Sequence, residues 1–325
     1  MARRPRLAVT LGDPRGIGPE VVARALASGP LDAEVTVIGA DDQVGDLRAD
    51  AKVGIGVWNA GRGEKGEVPS ADRSVAVRRS EPLPSPFSPE ALAGRLAGQA
   101  VERAVQLARD GNVDAVVTGP VHKHALHLAG FRYPGLTEFL AHLAGDRDVA
   151  MMLTTRGLRV VLVTTHLPLR DVPRAVTTER VVRTGRITEA ALRVWWGIAQ
   201  PRLAVCALNP HAGDSGLFGD EDDRVLRPAA EALAAAGPLS ADTVFVRALR
   251  GEFDAVLTPY HDVGMTAVKV AGFGTGVNVT LGLPFPRTAP DHGTAFDIAG
   301  KGVADPSSMR AALELAVELA GRKGR

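Results

Sequence analysis

Cysteine and aromatic residues are scarce in this sequence of 325 residues, and neither sign of charge predominates. A single cysteine, Cys206, excludes an intrachain disulfide and a cysteine-rich zinc module. Aromatic residues make up 4% of the chain, which leaves few side chains for stacking nucleic-acid bases. The 38 basic and 37 acidic residues give a formal charge of +1, so no overall field attracts nucleic acid or lipid headgroups. The composition therefore favours neither a nucleic-acid-binding protein nor a membrane protein.

Long apolar segments are also absent. No window approaches the roughly 18 consecutive apolar residues that a membrane-spanning helix needs. The apolar stretch Leu7–Leu11, which follows a basic N-terminus, is too short for the core of a signal peptide. We therefore expect a cytoplasmic protein.

Cys206 lies within an apolar run, where we expect a buried thiol.

Short apolar runs alternate with segments of helical periodicity, which predicts an α/β fold with a mainly parallel sheet. The apolar runs are mostly continuous, as expected for strands that are covered on both faces. The predicted strands are Leu7–Leu11, Glu34–Ile38, Asp114–Thr118, Ala150–Thr154, Arg159–Thr164, Arg202–Leu208, Asp254–Leu257 and Val277–Leu281. The predicted helices are Pro19–Ala27, Pro89–Asp110 with Ser88 as its cap, Thr178–Trp196, Asp220–Ala236 and Pro306–Ala320. The irregular stretch 59–87 predicts a surface excursion with one short strand at Ser74–Val77.

Three histidines share one position relative to the predicted strands. Each of His166, His211 and His261 follows an apolar strand that turns polar within a few residues. Because ligands of open α/β sheets bind beyond the carboxyl ends of the strands, all three imidazoles lie where a site would form. Three neutral imidazoles are a common ligand set for zinc and similar divalent cations. The separations of 45 and 50 residues match no short metal motif, so spacing alone leaves two interpretations, a metal site and three unrelated loop histidines.

Glycine-rich and basic segments suggest an anionic ligand. The loop from Gly12 to Glu20 follows the first predicted strand and opens a helix, where free backbone amides favour anions. Its glycine spacing fits neither the dinucleotide fingerprint nor the P-loop, so a tight turn without a ligand is an equal alternative. Further along, Lys269, Asn278 and Arg287 lie in or just before a glycine-rich stretch and would suit a substrate with hydroxyl or carboxylate groups.

Eight motifs are distinctive enough to compare with known families. They are Gly12-Asp-Pro-x-Gly-Ile-Gly-Pro-Glu20, Thr118-Gly-Pro-Val-His-Lys123, Thr137-Glu-Phe-Leu140, Thr164-Thr-His-Leu-Pro-Leu169, Leu208-Asn-Pro-His-Ala-Gly213, Tyr260-His-Asp262, Gly276-Val-Asn-Val-Thr-Leu-Gly-Leu-Pro284 and Asp291-His-Gly-Thr-Ala295. In these motifs and their order the chain resembles the 4-hydroxythreonine-4-phosphate dehydrogenase family of pyridoxal phosphate biosynthesis. The resemblance covers nearly the whole sequence.

The resemblance implies a fold similar to isocitrate and isopropylmalate dehydrogenases. In that fold, three α/β/α layers form two intertwined lobes that share a mixed, largely parallel sheet. Residues 1–325 would then be one catalytic unit with its active-site cleft between the lobes. The resemblance also implies a homodimer whose active site is completed across the interface. By motif, His166 and His211 match two ligands of one divalent ion (zinc, magnesium or cobalt), and His261 matches the third, lent by the partner subunit.

The same resemblance implies an activity and its substrate contacts. Thr137, Lys269, Asn278 and Arg287 match residues that bind the substrate. The expected reaction is NAD- or NADP-dependent oxidation of 4-phosphohydroxy-L-threonine at its 3-hydroxyl, followed by decarboxylation to 3-amino-2-oxopropyl phosphate. The divalent ion would lower the pKa of the reacting hydroxyl. The sequence itself assigns no general base, and we interpret Asp262, beside His261, as a carboxylate that orients this ligand.

A cofactor segment resembles a second family. The stretch from Asp291 to Pro306 is similar to the adenosine-binding loop of isopropylmalate dehydrogenase. That similarity implies that His292 and Gly293 line the adenine site and that Asp297 holds the ribose hydroxyls. An acidic group at the ribose favours NAD over NADP through charge repulsion.

One position departs from the family pattern. Leu136 precedes Thr137 where the family usually has a histidine that helps to hold the phosphate end of the substrate. Leucine cannot donate a hydrogen bond, and the loss of a charge-assisted contact costs roughly 1.5–3 kcal/mol. Either other donors compensate, or the substrate differs.

Three functions therefore compete. The first is the phosphohydroxythreonine dehydrogenase. The second is a related metal-dependent dehydrogenase for 4-phospho-threonate, 4-phospho-erythronate or an aromatic cis-diol carboxylate. The third is an acyltransferase such as phosphotransacetylase, which shares the broad fold and does not require the three histidines.

Overall fold

The computed structural model of the chain describes residues 3–58 and 88–323. The strands are β1 Arg6–Thr10, β2 Glu34–Gly39, β3 Ala51–Gly54, β4 Ala115–Thr118, β5 Ala150–Thr155, β6 Leu158–Leu162, β7 Leu203–Cys206, β8 Ala236–Leu239, β9 Ala255–Thr258, β10 Val277–Leu281 and β11 Arg287–Pro290. The α-helices are α1 Gly18–Ala27, α2 Asp41–Val44, α3 Pro89–Arg109, α4 Lys123–Leu128, α5 Leu136–Leu143, α6 Val172–Ala175, α7 Thr178–Trp195, α8 Arg227–Ala232, α9 Ala241–Leu249, α10 His261–Gly272 and α11 Ser307–Lys323. Short 3₁₀ turns lie at Leu169–Asp171 and Pro210–Gly213. All eight predicted strands are confirmed, whereas the strand predicted at Ser74–Val77 falls outside the described residues.

The eleven described strands form a single sheet in the order β3-β2-β1-β4-β11-β10-β5-β6-β9-β7-β8. Most neighbours are parallel, and only β10 with β11, β10 with β5, and β5 with β6 run antiparallel among the described pairs. The parallel β6, β9 and β7 are adjacent, so the loops that follow them leave the same edge of the sheet. The prediction of a mixed, largely parallel sheet is therefore confirmed.

Helices cover both faces of the sheet, which gives three α/β/α layers. On one face a continuous apolar core joins the strands to α1, α7, α8 and α11. On the other face the apolar residues form two separate clusters, one beneath α3 and α5 and one beneath α9 and α10. Polar residues of β10 and β11 lie on this second face, between the two clusters. Asn278 is paired with Leu153 of one cluster, and Arg287 is paired with Val116 of the other. Because paired residues of neighbouring strands lie on the same face, Asn278 and Arg287 form a polar strip there. This polar strip positions the candidate site.

Four of the predicted helices agree closely with the structure, and one does not. Ser88 caps α3 by accepting from the amide of Ala91, as its place before proline suggests. The helix predicted at Asp220–Ala236 is instead a π-turn at Asp222–Leu226, then α8, then the first residue of β8. The buried carboxylate of Asp222 accepts from the backbone amides of Leu208 and Asn209. This tertiary contact lies at the first residue of the π-turn, where the segment departs from a regular α-helix.

Within the described ranges, none of the helices combines the length and the apolarity that crossing a bilayer demands. Cys206 is fully buried, and burial raises the pKa of its thiol to about 12, so the side chain is unreactive at neutral pH. The prediction of a buried thiol is confirmed.

Candidate active site

The three histidines lie at one edge of the sheet. His166 follows β6, His211 lies in the 3₁₀ turn after β7, and His261 is the first residue of α10 after β9. Because β6, β9 and β7 are adjacent and parallel, the loops that carry the three side chains leave the sheet at its carboxyl edge.

Two of these imidazoles meet within the chain. The ring centres of His166 and His261 are 5.4 Å apart with an angle of 44° between the planes. Both rings line a cavity of about 110 Å³, to which Thr165 and Tyr260 also contribute. The loops after β6 and β9 therefore bring two imidazoles into one cavity.

Hydrogen bonding and charge prepare both rings for metal binding. The Nδ1 of His261 lies 2.7 Å from Oδ1 of Asp262, so this carboxylate orients the ring and leaves Nε2 free. Partial desolvation and the positive charges of Lys123 and His261 lower the pKa of His166, and the carboxylate of Glu138 opposes the shift. A lowered pKa favours the neutral imidazole, which is the form that binds a metal.

The third histidine is held apart from this pair. His211 and Ala212 both adopt left-handed backbone conformations, with φ of 52° and 57°. Asn209, which precedes this turn, makes two hydrogen bonds that hold it in place. Its side-chain amide donates to Glu221, and its backbone amide donates to Asp222. In the described part of the chain, no ring contact joins His211 to the other two histidines, and no three His, Cys, Asp or Glu side chains form a metal-binding group. The set of three is therefore not assembled within a single chain.

The polar strip between the two apolar clusters contains two of the predicted substrate contacts. Arg287, the first residue of β11, is 4% exposed and donates to the hydroxyls of Thr280 and Thr118. Among the residues that the structure describes, neither its buried Nε nor the buried Oδ1 of Asn278 on β10 has a hydrogen-bond partner. Buried polar atoms without partners are rare and mark places where a ligand or water completes the hydrogen bonding.

Other predicted contacts surround this strip. Lys269 lies on α10, where its ammonium is 3.7 Å from a carboxylate oxygen of Asp291 and 5.8 Å from the ring centre of Phe273. Leu136 and Thr137 are the first residues of α5, and the extended Gly135 that precedes them supplies no side-chain cap. Within ranges 3–58 and 88–323, no N-cap side chain therefore accepts from the first amides of this helix.

Lys123 was not predicted as a site residue, although it belongs to one of the recognised motifs. Its Nζ lies 3.8 Å from the point where a Cβ on Gly135 would be, which places it beside the start of α5. No carboxylate lies within ion-pair distance of its ammonium among the residues that the structure describes. Its positive charge also contributes to the lowered pKa of His166.

The predicted cofactor segment packs against the Gly12–Glu20 loop. The amide of Ile17 donates to the carbonyl of Thr294, and the carboxylate of Glu20 accepts from the amide of Ala304. His292 has a buried Nε2 without a partner, whereas Gly293 and Asp297 are exposed. A Cβ on Gly18 would lie 2.0 Å from the carbonyl oxygen of Leu11, so close packing of the turn explains that glycine without a ligand.

Comparison with known proteins gives a consistent result. Residues 32–316 match the family described as pyridoxal phosphate biosynthetic protein PdxA. A 4-hydroxythreonine-4-phosphate dehydrogenase of Beijerinckia indica is 44% identical over 321 residues, covering 96% of this chain and 94% of the relative. A D-threonate 4-phosphate dehydrogenase of Cupriavidus necator is also 44% identical, over 98% of both chains. The crystal structure of 4-hydroxythreonine-4-phosphate dehydrogenase from Klebsiella pneumoniae is similar with a TM-score of 0.80 and 38% identity, covering 98% of this chain and 99% of that one.

Proposed function

Because the chain belongs to the pyridoxal phosphate biosynthetic protein PdxA family, we propose that it is a dehydrogenase that oxidises 4-phosphohydroxy-L-threonine. The reaction uses NAD and a divalent cation, removes hydride from the carbon of the 3-hydroxyl, and releases the hydroxyl proton. The resulting β-keto acid loses carbon dioxide and gives 3-amino-2-oxopropyl phosphate. The observation that carries the proposal is that the loops after β6, β7 and β9 bring His166, His211 and His261 to one edge of the sheet, beside a strip of polar side chains.

The donor set fits a divalent cation. His166 and His211 of one chain and His261 of the partner subunit would hold zinc, magnesium or cobalt, with Asp262 fixing the tautomer of its neighbour. When bound, such a cation supplies Lewis acidity toward the 3-hydroxyl, and the nicotinamide supplies the hydride acceptor. The lowered pKa of His166 favours the neutral imidazole, whose lone pair can bind a cation.

The proposed homodimer explains why one chain leaves the site incomplete. Exposed apolar side chains flank two of the histidine loops, namely Leu167 and Leu169 beside His166, and Leu217 and Phe218 after His211. Contiguous exposed apolar groups are typical of protein interfaces, and most homodimers are two-fold symmetric. A two-fold partner that covers these loops would bring its own histidine to the shared site.

The protein's own residues would bind and orient the substrate. Arg287 provides a positive charge that no carboxylate of the described residues pairs with, and Asn278 provides a carbonyl oxygen that can accept from a hydroxyl or an amino group. Thr137 lies at the start of α5, and the ammonium of Lys123 lies beside Gly135, the residue that precedes this helix. Lys123 would replace the family histidine at position 136 in neutralising the phosphate. The exposed Asp297 would hold the ribose hydroxyls of NAD, and His292 would use its unpartnered Nε2 at the adenine.

A second candidate substrate is D-threonate 4-phosphate. Relatives with either name are equally similar to this chain at 44% identity. The two substrates differ at the second carbon, which carries an amino group in one and a hydroxyl in the other. Since both groups can donate to Asn278, this contact does not discriminate between them. The acyltransferase alternative has no support from these relatives, which are named dehydrogenases.

The test is NADH formation by the metal-loaded protein with each substrate in turn. We expect turnover with 4-phosphohydroxy-L-threonine, loss of activity after chelation, and recovery when the cation is restored. A cis-diol carboxylate serves as the substrate without phosphate. Higher kcat/KM for D-threonate 4-phosphate would favour the second candidate, and no NADH formation with either phosphorylated substrate would contradict both.

A further inference from the structure

Arg287 is a buried charge without a counter-ion. The side chain is 4% exposed, and no carboxylate forms an ion pair with it in the described ranges 3–58 and 88–323. Burial lowers the pKa of its guanidinium to about 10, so the group is still charged at neutral pH. Buried charges are normally paired, because desolvation costs several kcal/mol for each ion. An anionic ligand that contacts the guanidinium would supply the countercharge that the described residues lack.

Two threonine hydroxyls hold this guanidinium in place. Nη1 donates to Oγ1 of Thr280 at 3.1 Å, and Nη2 donates to Oγ1 of Thr118. The sheet register sets these contacts, since the pairing of β10 with β11 places Thr280 opposite Arg287, and β4 is the parallel neighbour on the other side. Both threonines are 0% exposed, so their hydroxyls can act on a ligand only through the guanidinium.

Neutral hydroxyls fix the orientation of a cation without cancelling its charge. A guanidinium has five N–H groups, and the threonines use two of them. Three remain, of which the Nε–H is buried without a partner. A carboxylate in the place of either threonine would neutralise the group and occupy its N–H groups in bidentate fashion. The arrangement therefore preserves an oriented, uncompensated positive charge.

We propose that Thr118 and Thr280 are positioning residues that hold Arg287 so that its remaining N–H groups receive an oxyanion of the substrate. This inference rests on the proposed function, because that substrate carries both a carboxylate and a phosphate. The two threonines lie in recognised motifs, but the resemblance assigns no role to them.

The test measures the affinity for two simple probes by calorimetric titration. Inorganic phosphate presents a phosphate alone, and D-threonate presents a carboxylate alone, so the probe whose affinity falls in Arg287→Gln identifies which oxyanion Arg287 binds. We expect Thr118→Val and Thr280→Val each to weaken binding of that probe by roughly tenfold to a hundredfold, as for loss of a hydrogen bond to a charged group. Thr118→Ser and Thr280→Ser keep the hydroxyl and should recover most of the affinity.

A matched control separates positioning from general damage to the sheet. Thr288→Val also removes a fully buried hydroxyl from β11, but this hydroxyl donates to the carbonyl of Ala312 and not to Arg287. We expect its probe affinity to equal that of the wild type. In the Arg287→Gln background, Thr118→Val should cause no further loss, because the threonine acts through the arginine.

The outcomes distinguish this proposal from the proposed function. Three results would each overturn the positioning role. The first is wild-type probe affinity in both Thr118→Val and Thr280→Val, and the second is an equal loss of probe affinity in Thr288→Val. The third is a further loss of affinity when Thr118→Val is added to Arg287→Gln. Absence of Arg287-dependent binding of both probes would overturn it as well. If instead the probes bind as expected and neither phosphorylated substrate is oxidised, the positioning role stands and the proposed dehydrogenase activity fails.

Discussion

Lys123 takes the place of a missing histidine in our account, which leads to a quantitative prediction. Leu136 cannot donate to a phosphate, whereas the ammonium of Lys123 lies beside the start of α5 and has no ion-pair partner among the described side chains. A hydrogen bond to a charged group contributes roughly 1.5–3 kcal/mol. Because Lys123 is exposed, solvent screening places its effect at the lower end of that range. Since 1.4 kcal/mol corresponds to a factor of ten, Lys123→Gln should raise KM for the phosphorylated substrate about tenfold.

The assay is steady-state NADH formation with Lys123→Gln, Leu136→His and the double variant. We expect kcat to change little, because a contact with the phosphate binds substrate and transition state alike. In the Lys123→Gln background, Leu136→His should recover part of the lost affinity. Lys52→Gln is the matched control, since it removes an exposed ammonium on β3 that contacts only the carbonyl of Gly45 in the described structure. A KM in Lys123→Gln equal to that of the wild type would refute the compensation.

Two further predictions concern stability. Gly94→Ala places a Cβ 1.9 Å from the carbonyl oxygen of Ala125. In urea titrations the variant should have a free energy of unfolding about 1–3 kcal/mol lower than the wild type, despite the better helix propensity of alanine. A more stable variant would contradict the close packing of α3 on α4. Burial alone would raise the pKa of Asp254. Hydrogen bonds and positive charge from Arg202 outweigh the effect of burial and lower this pKa. The Asp254–Arg202 pair therefore stabilises the folded state at pH values above the unfolded-state pKa of the carboxyl group. Asp254→Asn should therefore lower the free energy of unfolding by about 1–2 kcal/mol at pH 7. This difference from the wild type should disappear as the pH falls below 3.8 and through the folded-state pKa of Asp254. A difference that persists at the lowest pH would contradict the assignment.

The sequence contained enough information for most of the sheet, because buried parallel strands are continuous runs of Val, Leu, Ile and Ala. β11 was missed since Arg-Thr-Ala-Pro lacks such a run. α10 was missed because Gly264 and Gly272 lower its intrinsic helix propensity. Gly264 is needed there for packing, as a Cβ would lie 2.8 Å from a side-chain atom of Thr258. Tertiary packing, rather than local propensity, decides such elements.

The candidate site was predicted less completely than the sheet. The positions of His166, His211 and His261 follow from a general property of parallel strands, whose carboxyl ends share one edge. Which of the rings meet depends on loop conformation, such as the left-handed backbone at His211, and no pattern in the sequence indicates it. The roles of Thr118 and Thr280 were also hidden, because a threonine in an apolar strand is an ordinary β-former.

The central claim is a metal site shared between two subunits, and subunit mixing tests it most directly. His166→Ala and His261→Ala are each expected to be inactive. A heterodimer purified with a different tag on each variant should regain about half of the wild-type activity and half of its bound cation, because one of two symmetric sites then keeps all three histidines. A heterodimer of His166→Ala with His211→Ala should stay inactive, since both ligands come from one chain. An inactive, metal-free heterodimer of His166→Ala with His261→Ala would contradict the shared site.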